Sequence, residues 1–186
     1  LFRSLSQRYS EIDKNVRPTK QHKQYGGQHV DANVLHVRLA GADEAVRLLE
    51  HLKDADDVVV LSPTTTAPAW IPDRLRSAVL GPDEVKGLEY QSVCVLDPGR
   101  VIERLYEWEI REWVDFEIDQ LELRTVIDHL RVVSSRATET LAFVDVAPTH
   151  EQREHSLRIL GDAAPYSLDD LIDHFTNADA SPDERV

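Results

Sequence analysis

Short apolar runs alternate with amphipathic stretches along this chain, and that alternation limits its fold more than any other feature. Residues 34–39, 58–61, 92–96 and 141–145 are rich in Val, Leu and other strand-forming residues, and most are bounded by turn residues. Continuous apolar runs of this length are typical of parallel strands covered on both faces. The pattern therefore predicts an α/β fold with a mainly parallel sheet and helices on both faces.

Helices are expected between and after these runs. Ala45, Leu48, Leu49 and Leu52 form one apolar stripe at helical spacing. Further helices are predicted over 68–79, beginning near Pro72, and around 102–113, 123–133, 150–160 and 167–176. Because ligands of such sheets bind at the carboxyl ends of the strands, we expect binding loops at 62–70, 81–91, 97–101 and 134–140.

The charge balance is acidic but uneven. The 186 residues contain 34 acidic and 21 basic side chains, a net charge of −13, which by itself argues against binding a polyanion. Residues 1–30, by contrast, contain six basic and two acidic side chains. The overall charge therefore does not exclude nucleic acid contact through local groups.

Several classes of protein are disfavoured by the sequence. The apolar runs are too short to span a bilayer, and no secretory signal is recognisable at the N-terminus, so we expect no membrane partner. Cys94 is the single cysteine, which excludes a disulfide framework and favours a cytoplasmic, reducing compartment. The eight histidines show no metal-ligand spacing, so no metal site is predicted. The chain lacks methionine and begins with Leu1, which suggests a piece of a longer protein.

The segment 83–90, Asp-Glu-Val-Lys-Gly-Leu-Glu-Tyr, is the first candidate for chemistry. Gly87 lets the backbone approach a ligand, Lys86 can neutralise phosphate charge, and Glu89 can accept a hydrogen bond from a ribose hydroxyl. The alternative is a surface turn with a charge pair.

The segment 131–139, Arg-Val-Val-Ser-Ser-Arg-Ala-Thr-Glu, is the second. Arg136 is expected at the end of a helix that packs on the sheet, where its planar guanidinium could stabilise charge on a phosphoryl group. The alternative is an arginine that simply stabilises a helix C-terminus.

Taken together and in this order, the two segments resemble motifs V and VI of the second RecA-like motor domain of UvrD-like superfamily 1 DNA helicases. The loop at Asn15, Val16 and Arg17 is similar to motif IV of the same family, and Arg8 and Tyr9 offer a rival alignment to that motif. The resemblance covers residues 13–146. It implies a three-layer RecA-like (P-loop NTPase-like) sheet over 34–146, preceded by a motif IV-like segment at 1–33 and followed by a helical extension at 147–186.

The resemblance also implies roles for individual residues. Arg136 and Arg17 would approach the phosphates of ATP. Glu89 would contact the ribose, with Lys86 and Gly87 shaping the loop around it. Ser62, Thr64 and Thr65 would lie along a track for single-stranded DNA.

The chain departs from the family pattern in ways that affect the prediction. Asp83 and Arg131 replace a histidine and a tyrosine that are usual in motifs V and VI. No Gly-x-x-x-x-Gly-Lys-[Ser/Thr] sequence and no Asp-Glu pair after an apolar strand occur in the chain. The groups that would hold most of ATP and Mg²⁺ are therefore expected on a first RecA-like domain of the same protein.

These observations favour the C-terminal motor domain of an ATP-dependent DNA helicase, inactive when alone. A degenerate helicase-like binding or scaffold module is the main alternative. An unrelated nucleotide-binding α/β enzyme is disfavoured, because no glycine-rich phosphate loop follows the first strand. The oligomeric state is not predicted.

Overall fold

The computed structural model describes residues 33–110, 116–164 and 166–176, with the side chains of 108–110 and 116–120 excepted. The motif IV-like segment at 1–33, including Arg17, lies outside this part of the chain except for Asn33.

Five strands form one parallel sheet in the described residues. They are β1 (Asn33–Leu39), β2 (Val58–Leu61), β3 (Val79–Leu80), β4 (Tyr90–Leu96) and β5 (Ala137–Val146). The strand order is β1-β5-β4-β2-β3, and every pair is parallel. The predicted parallel α/β architecture is confirmed.

The helices fall close to their expected positions. They are α1 (Ala42–Leu52), a 3₁₀ helix (Asp73–Ala78), α2 (Pro98–Ile110), α3 (Phe116–Ser134), α4 (His150–Leu160) and α5 (Leu168–Thr176). The predicted apolar stripe of α1 is buried. A reciprocal pair of hydrogen bonds between Thr149 and Gln152 caps the N-terminus of α4, which explains its sharp start.

Two apolar cores lie on opposite faces of the sheet and give a three-layer, Rossmann-like arrangement. The first core includes buried residues of α1, α5 and the loop around Ile71. The second core includes buried residues of α2 and α3. Neighbouring residues of β4 and β5 alternate between the cores; Ala142 lies in the first and Phe143 in the second. The predicted C-terminal extension packs on the sheet, since Leu171 of α5 is fully buried in the first core.

Two expected elements differ from the structure. The segment 68–79 is not an α-helix, because it holds only a six-residue 3₁₀ helix, and Val79 belongs to β3. The Ile71 and Leu75 amides donate to carbonyls three residues earlier, and both side chains pack in the first core. Strand β5 begins at Ala137, before the apolar run at 141–145, because its polar first residues pair with β4 through the backbone.

The four expected binding loops do not all lie at the carboxyl ends of strands. Loops 62–70 and 97–101 follow β2 and β4, at the edge where strands end, which we call the carboxyl edge. Residues 134–136 and 86–89 instead precede β5 and β4, at the opposite edge, the amino edge. The loop 81–89 begins near Thr64 at the carboxyl edge and crosses to the amino edge. Among the described helices, none is long and apolar enough to cross a membrane.

Candidate functional site

The amino edge brings together the two segments that the sequence singles out. Tyr90 opens β4 and lies opposite Ala137, the first residue of β5. The Tyr90 amide donates to the Arg136 carbonyl at 2.9 Å, and the Thr138 hydroxyl donates to the Tyr90 carbonyl at 3.2 Å. Residues distant in sequence are thus fixed side by side at the beginning of two central strands.

The Arg136 side chain joins the end of α3 to the loop before β4. Its Nε donates to the Val132 carbonyl at 3.0 Å, Nη1 to the Leu88 carbonyl at 3.2 Å, and Nη2 to the Ser135 hydroxyl at 2.8 Å. A guanidinium beside the last carbonyls of a helix is favourable, because those carbonyls carry partial negative charge. The alternative considered from the sequence, an arginine that stabilises a helix C-terminus, is therefore present.

Lys86, Gly87 and Glu89 occupy the exposed end of the loop 81–89. Lys86 Nζ lies 2.7 Å from Asp83 Oδ1, and this hydrogen bond lowers the pKa of the Asp83 carboxyl below its usual value. The charge pair considered from the sequence is thus present as well. Gly87 has a φ of 81°, a left-handed conformation that glycine adopts without strain.

The predicted DNA-contacting residues lie at the carboxyl edge, away from Arg136. Ser62 is buried, and its hydroxyl lies 2.9 Å from that of Thr64. The Thr64 hydroxyl donates to the Thr66 carbonyl at 2.7 Å. Hydroxyl groups therefore stabilise this loop internally, whereas the side chain of Thr65 is exposed. The structure does not bring these residues together with Arg136, Lys86 and Glu89.

Asp97 ties three parts of the carboxyl edge together, and sequence reasoning did not single it out. Its Oδ1 accepts from the Val146 amide at 2.9 Å, and its Oδ2 accepts from Trp70 Nε1 at 2.8 Å. Arg100 Nε lies 3.4 Å from the same Oδ2. Burial raises the pKa of the Asp97 carboxyl, and the hydrogen bonds from Trp70 and Val146 only partly oppose that rise.

A second buried carboxylate, Asp145, lies at the N-terminus of α2. Its Oδ1 accepts from the Gly99 amide at 2.7 Å, and its Oδ2 lies 3.0 Å from His36 Nε2. His36 Nδ1 donates to the Gly161 carbonyl at 3.0 Å, since a carbonyl oxygen can only accept. This chain of contacts joins β1, β5, α2 and the end of α4.

Asp97 and Asp145 lie where a sheet of this kind usually binds an anion. In doubly wound sheets, phosphates usually bind at a helix N-terminus on the carboxyl edge, where strand connections diverge to opposite faces. Here the connection after β2 leads to the first core and that after β4 to the second. Asp145 occupies the N-terminus of α2, and Asp97 lies beside it. A phosphate at this position would meet negative charge instead of free amides.

A cavity of about 310 Å³ lies near the beginning of β2. Asp54, Asp56 and Asp57 line it together with His51 and Phe175. Its carboxylates disfavour phosphate as well. Within the described residues, no cluster of three or more His, Cys, Asp or Glu side chains could hold a metal ion.

No protein-family model matches the chain, and no curated protein matches it either.

Proposed function

We propose that this chain is the C-terminal, second RecA-like motor domain of an ATP-dependent DNA helicase or translocase of the UvrD-like type. The observation that carries the proposal is the junction at the amino edge. Arg136 contacts Leu88 through its side chain and Tyr90 through its carbonyl. The two short sequence patterns that together resemble helicase motifs are thus adjacent in space, as a shared nucleotide site requires.

In this proposal the amino edge forms one wall of an ATP cleft. Arg136 provides a permanently charged planar group for the phosphates, and Glu89 provides an acceptor for the ribose. Lys86 and Gly87 shape the loop between them, and Arg17 joins from the N-terminal segment. A first RecA-like domain of the same protein supplies the phosphate loop and most of the protein groups that hold Mg²⁺.

Single-stranded DNA is proposed to run along the loop after β2, at Ser62, Thr64 and Thr65. Because the Ser62 and Thr64 side chains bond within the loop, phosphate contacts there would come from Thr65 and from backbone amides. With a net charge of −13, the chain alone should bind single-stranded DNA poorly. The first motor domain would have to supply most of the positive charge that attracts single-stranded DNA.

A degenerate helicase-like binding or scaffold module is the second candidate, and one observation favours it. Lys86 is paired with Asp83, and Arg136 bonds to this chain's own acceptors. Both cationic side chains therefore have structural partners without a nucleotide.

Arg136→Ala in the intact protein separates the two candidates. If Arg136 stabilises the charge of phosphoryl transfer, DNA-stimulated ATP hydrolysis should fall by about 1,000-fold or more. Arg131→Gln is the matched control, since it removes an exposed arginine five residues earlier, in the last turn of α3, and should leave turnover unchanged. Near-normal ATP hydrolysis by Arg136→Ala would refute the proposed role of Arg136 and, with it, the nucleotide site at the amino edge. A wild-type protein without ATPase activity would favour the scaffold candidate.

A further inference from the structure

We propose that Ser135 is a positioning residue that, with the Leu88 carbonyl, holds the Arg136 guanidinium ready for a phosphate ligand; this inference rests on the proposed function. Ser135 lies between the end of α3 and Arg136, and its side chain is exposed.

The guanidinium of arginine has five N–H groups, one on Nε and two on each terminal nitrogen. In this structure Nε, Nη1 and Nη2 each donate one hydrogen bond, to Val132, Leu88 and Ser135 respectively. One N–H on each terminal nitrogen remains for another acceptor. Two such groups on one planar fork are suited to bidentate binding of a phosphate.

The hydroxyl of Ser135 can hold this arrangement because it both donates and accepts. Its single hydrogen points to the Val132 carbonyl, with an oxygen–oxygen distance of 3.0 Å. A lone pair of the same oxygen accepts from Arg136 Nη2. The hydroxyl therefore links the guanidinium to the last turn of α3, which is packed on the sheet through Leu130 and Val133.

The hydrogen bond to the Leu88 carbonyl fixes the position of Arg136 Nη1. Val85, in the middle of the loop, is fully buried, whereas Leu88 is 48% exposed. The Leu88 carbonyl lies two residues before β4, so its position follows from the strand pairing of Tyr90. Two acceptors at the end of α3, the Val132 carbonyl and the Ser135 hydroxyl, and one before β4 restrict the rotation of the Arg136 side chain before any ligand binds. Such restriction is the requirement for a preorganised site.

The first test uses the chain alone and needs no nucleotide. NMR measures solvent exchange of the Arg136 side-chain N–H groups in wild type, Ser135→Ala, Ser135→Thr and Ser134→Ala. Loss of one hydrogen bond should speed exchange in Ser135→Ala by roughly five- to thirtyfold, whereas Ser135→Thr retains the hydroxyl and should resemble wild type. Ser134→Ala is the matched control, because the Ser134 hydroxyl bonds to the Leu130 carbonyl instead. Equal exchange rates in Ser135→Ala and wild type would overturn the positioning role.

The second test measures ATP hydrolysis by the intact protein. Ser135→Ala should lower kcat by roughly five- to thirtyfold while KM for ATP stays within about twofold, and Ser135→Thr should restore kcat. An unchanged kcat in Ser135→Ala would overturn the proposal that this positioning serves phosphoryl transfer. A wild-type protein without ATPase activity would refute the proposed function, while the exchange measurement would still decide whether Ser135 positions Arg136.

Discussion

Gly99 is the second residue of α2, and its replacement by alanine should destabilise the fold although alanine is the better helix former. A Cβ atom at this position would lie 2.7 Å from Asp145 Oδ1 and 3.0 Å from Ser156 Oγ. Both distances are shorter than ordinary contacts of a methyl group. Asp145 cannot easily move away, because its carboxylate is buried and bonded to His36 and to the Gly99 amide.

The magnitude follows from opposing contributions. Glycine to alanine in a helix interior normally stabilises by about 1 kcal/mol. Forcing a methyl group into a closely packed site costs roughly 1–3 kcal/mol. Displacing Asp145 would also weaken a buried hydrogen bond to a charged group, for roughly 1.5–3 kcal/mol. We therefore expect the free energy of unfolding to fall by roughly 1.5–5 kcal/mol.

Urea unfolding of the 186-residue chain, followed by circular dichroism, measures this change. Gly41→Ala is the matched control, because a Cβ at Gly41 meets nothing within 4 Å and the φ of −168° is open to any residue. The control should lie within about 1 kcal/mol of wild type, since the lower chain entropy of the unfolded state offsets the poorer N-cap. A Gly99→Ala variant as stable as wild type, or more stable, would refute the close packing around Asp145.

Three further predictions concern titratable groups. Burial raises the folded-state pKa of Asp97 above its ordinary value of 3.8. The ionisation of Asp97 should therefore lower the free energy of unfolding as pH rises from 3.8 to that raised pKa. In urea unfolding between about pH 4 and pH 7, the free energy of unfolding of Asp97→Asn should fall less with rising pH than that of wild type. Identical pH profiles would contradict a raised pKa at Asp97. Lys86→Gln removes the hydrogen bond that lowers the pKa of Asp83, so NMR titration of the Asp83 carboxyl should show an upward shift, whereas an unchanged pKa would exclude the pair in solution. Burial raises the pKa of the Cys94 thiol to about 12, so an aromatic disulfide reagent at about pH 8 should modify it only after unfolding; rapid modification of the folded chain would disagree.

The elements of the fold could be predicted where local pattern decides them. The apolar run of β2 and the stripe of α1 each follow from a single period, and both were found as expected. The two-residue strand β3 could not be predicted, because it forms only by pairing with β2. The same holds for the polar beginning of β5, whose pairing with Tyr90 depends on tertiary structure.

The candidate site, like the fold, was predicted only in part. The likeness of the segments around Lys86 and Arg136 to known motifs identified them, and the structure places those segments side by side. The prediction that they lie with the carboxyl-edge loops was wrong, because a connection between parallel strands runs from one edge to the other. The contact between His36 and Asp145 joins residues far apart in sequence, and no local pattern signals it.

The central claim is that nucleotide binds at the amino edge, and photocrosslinking tests it most directly. The intact protein would be irradiated with an azido-ATP analogue, and mass spectrometry would locate the modified peptides. The proposed function predicts labelled peptides that include residues 81–92 or 131–137, with labelling reduced by excess ATP and by Arg136→Ala. Labelling confined to residues 62–70 or 97–101, at the carboxyl edge, would contradict it.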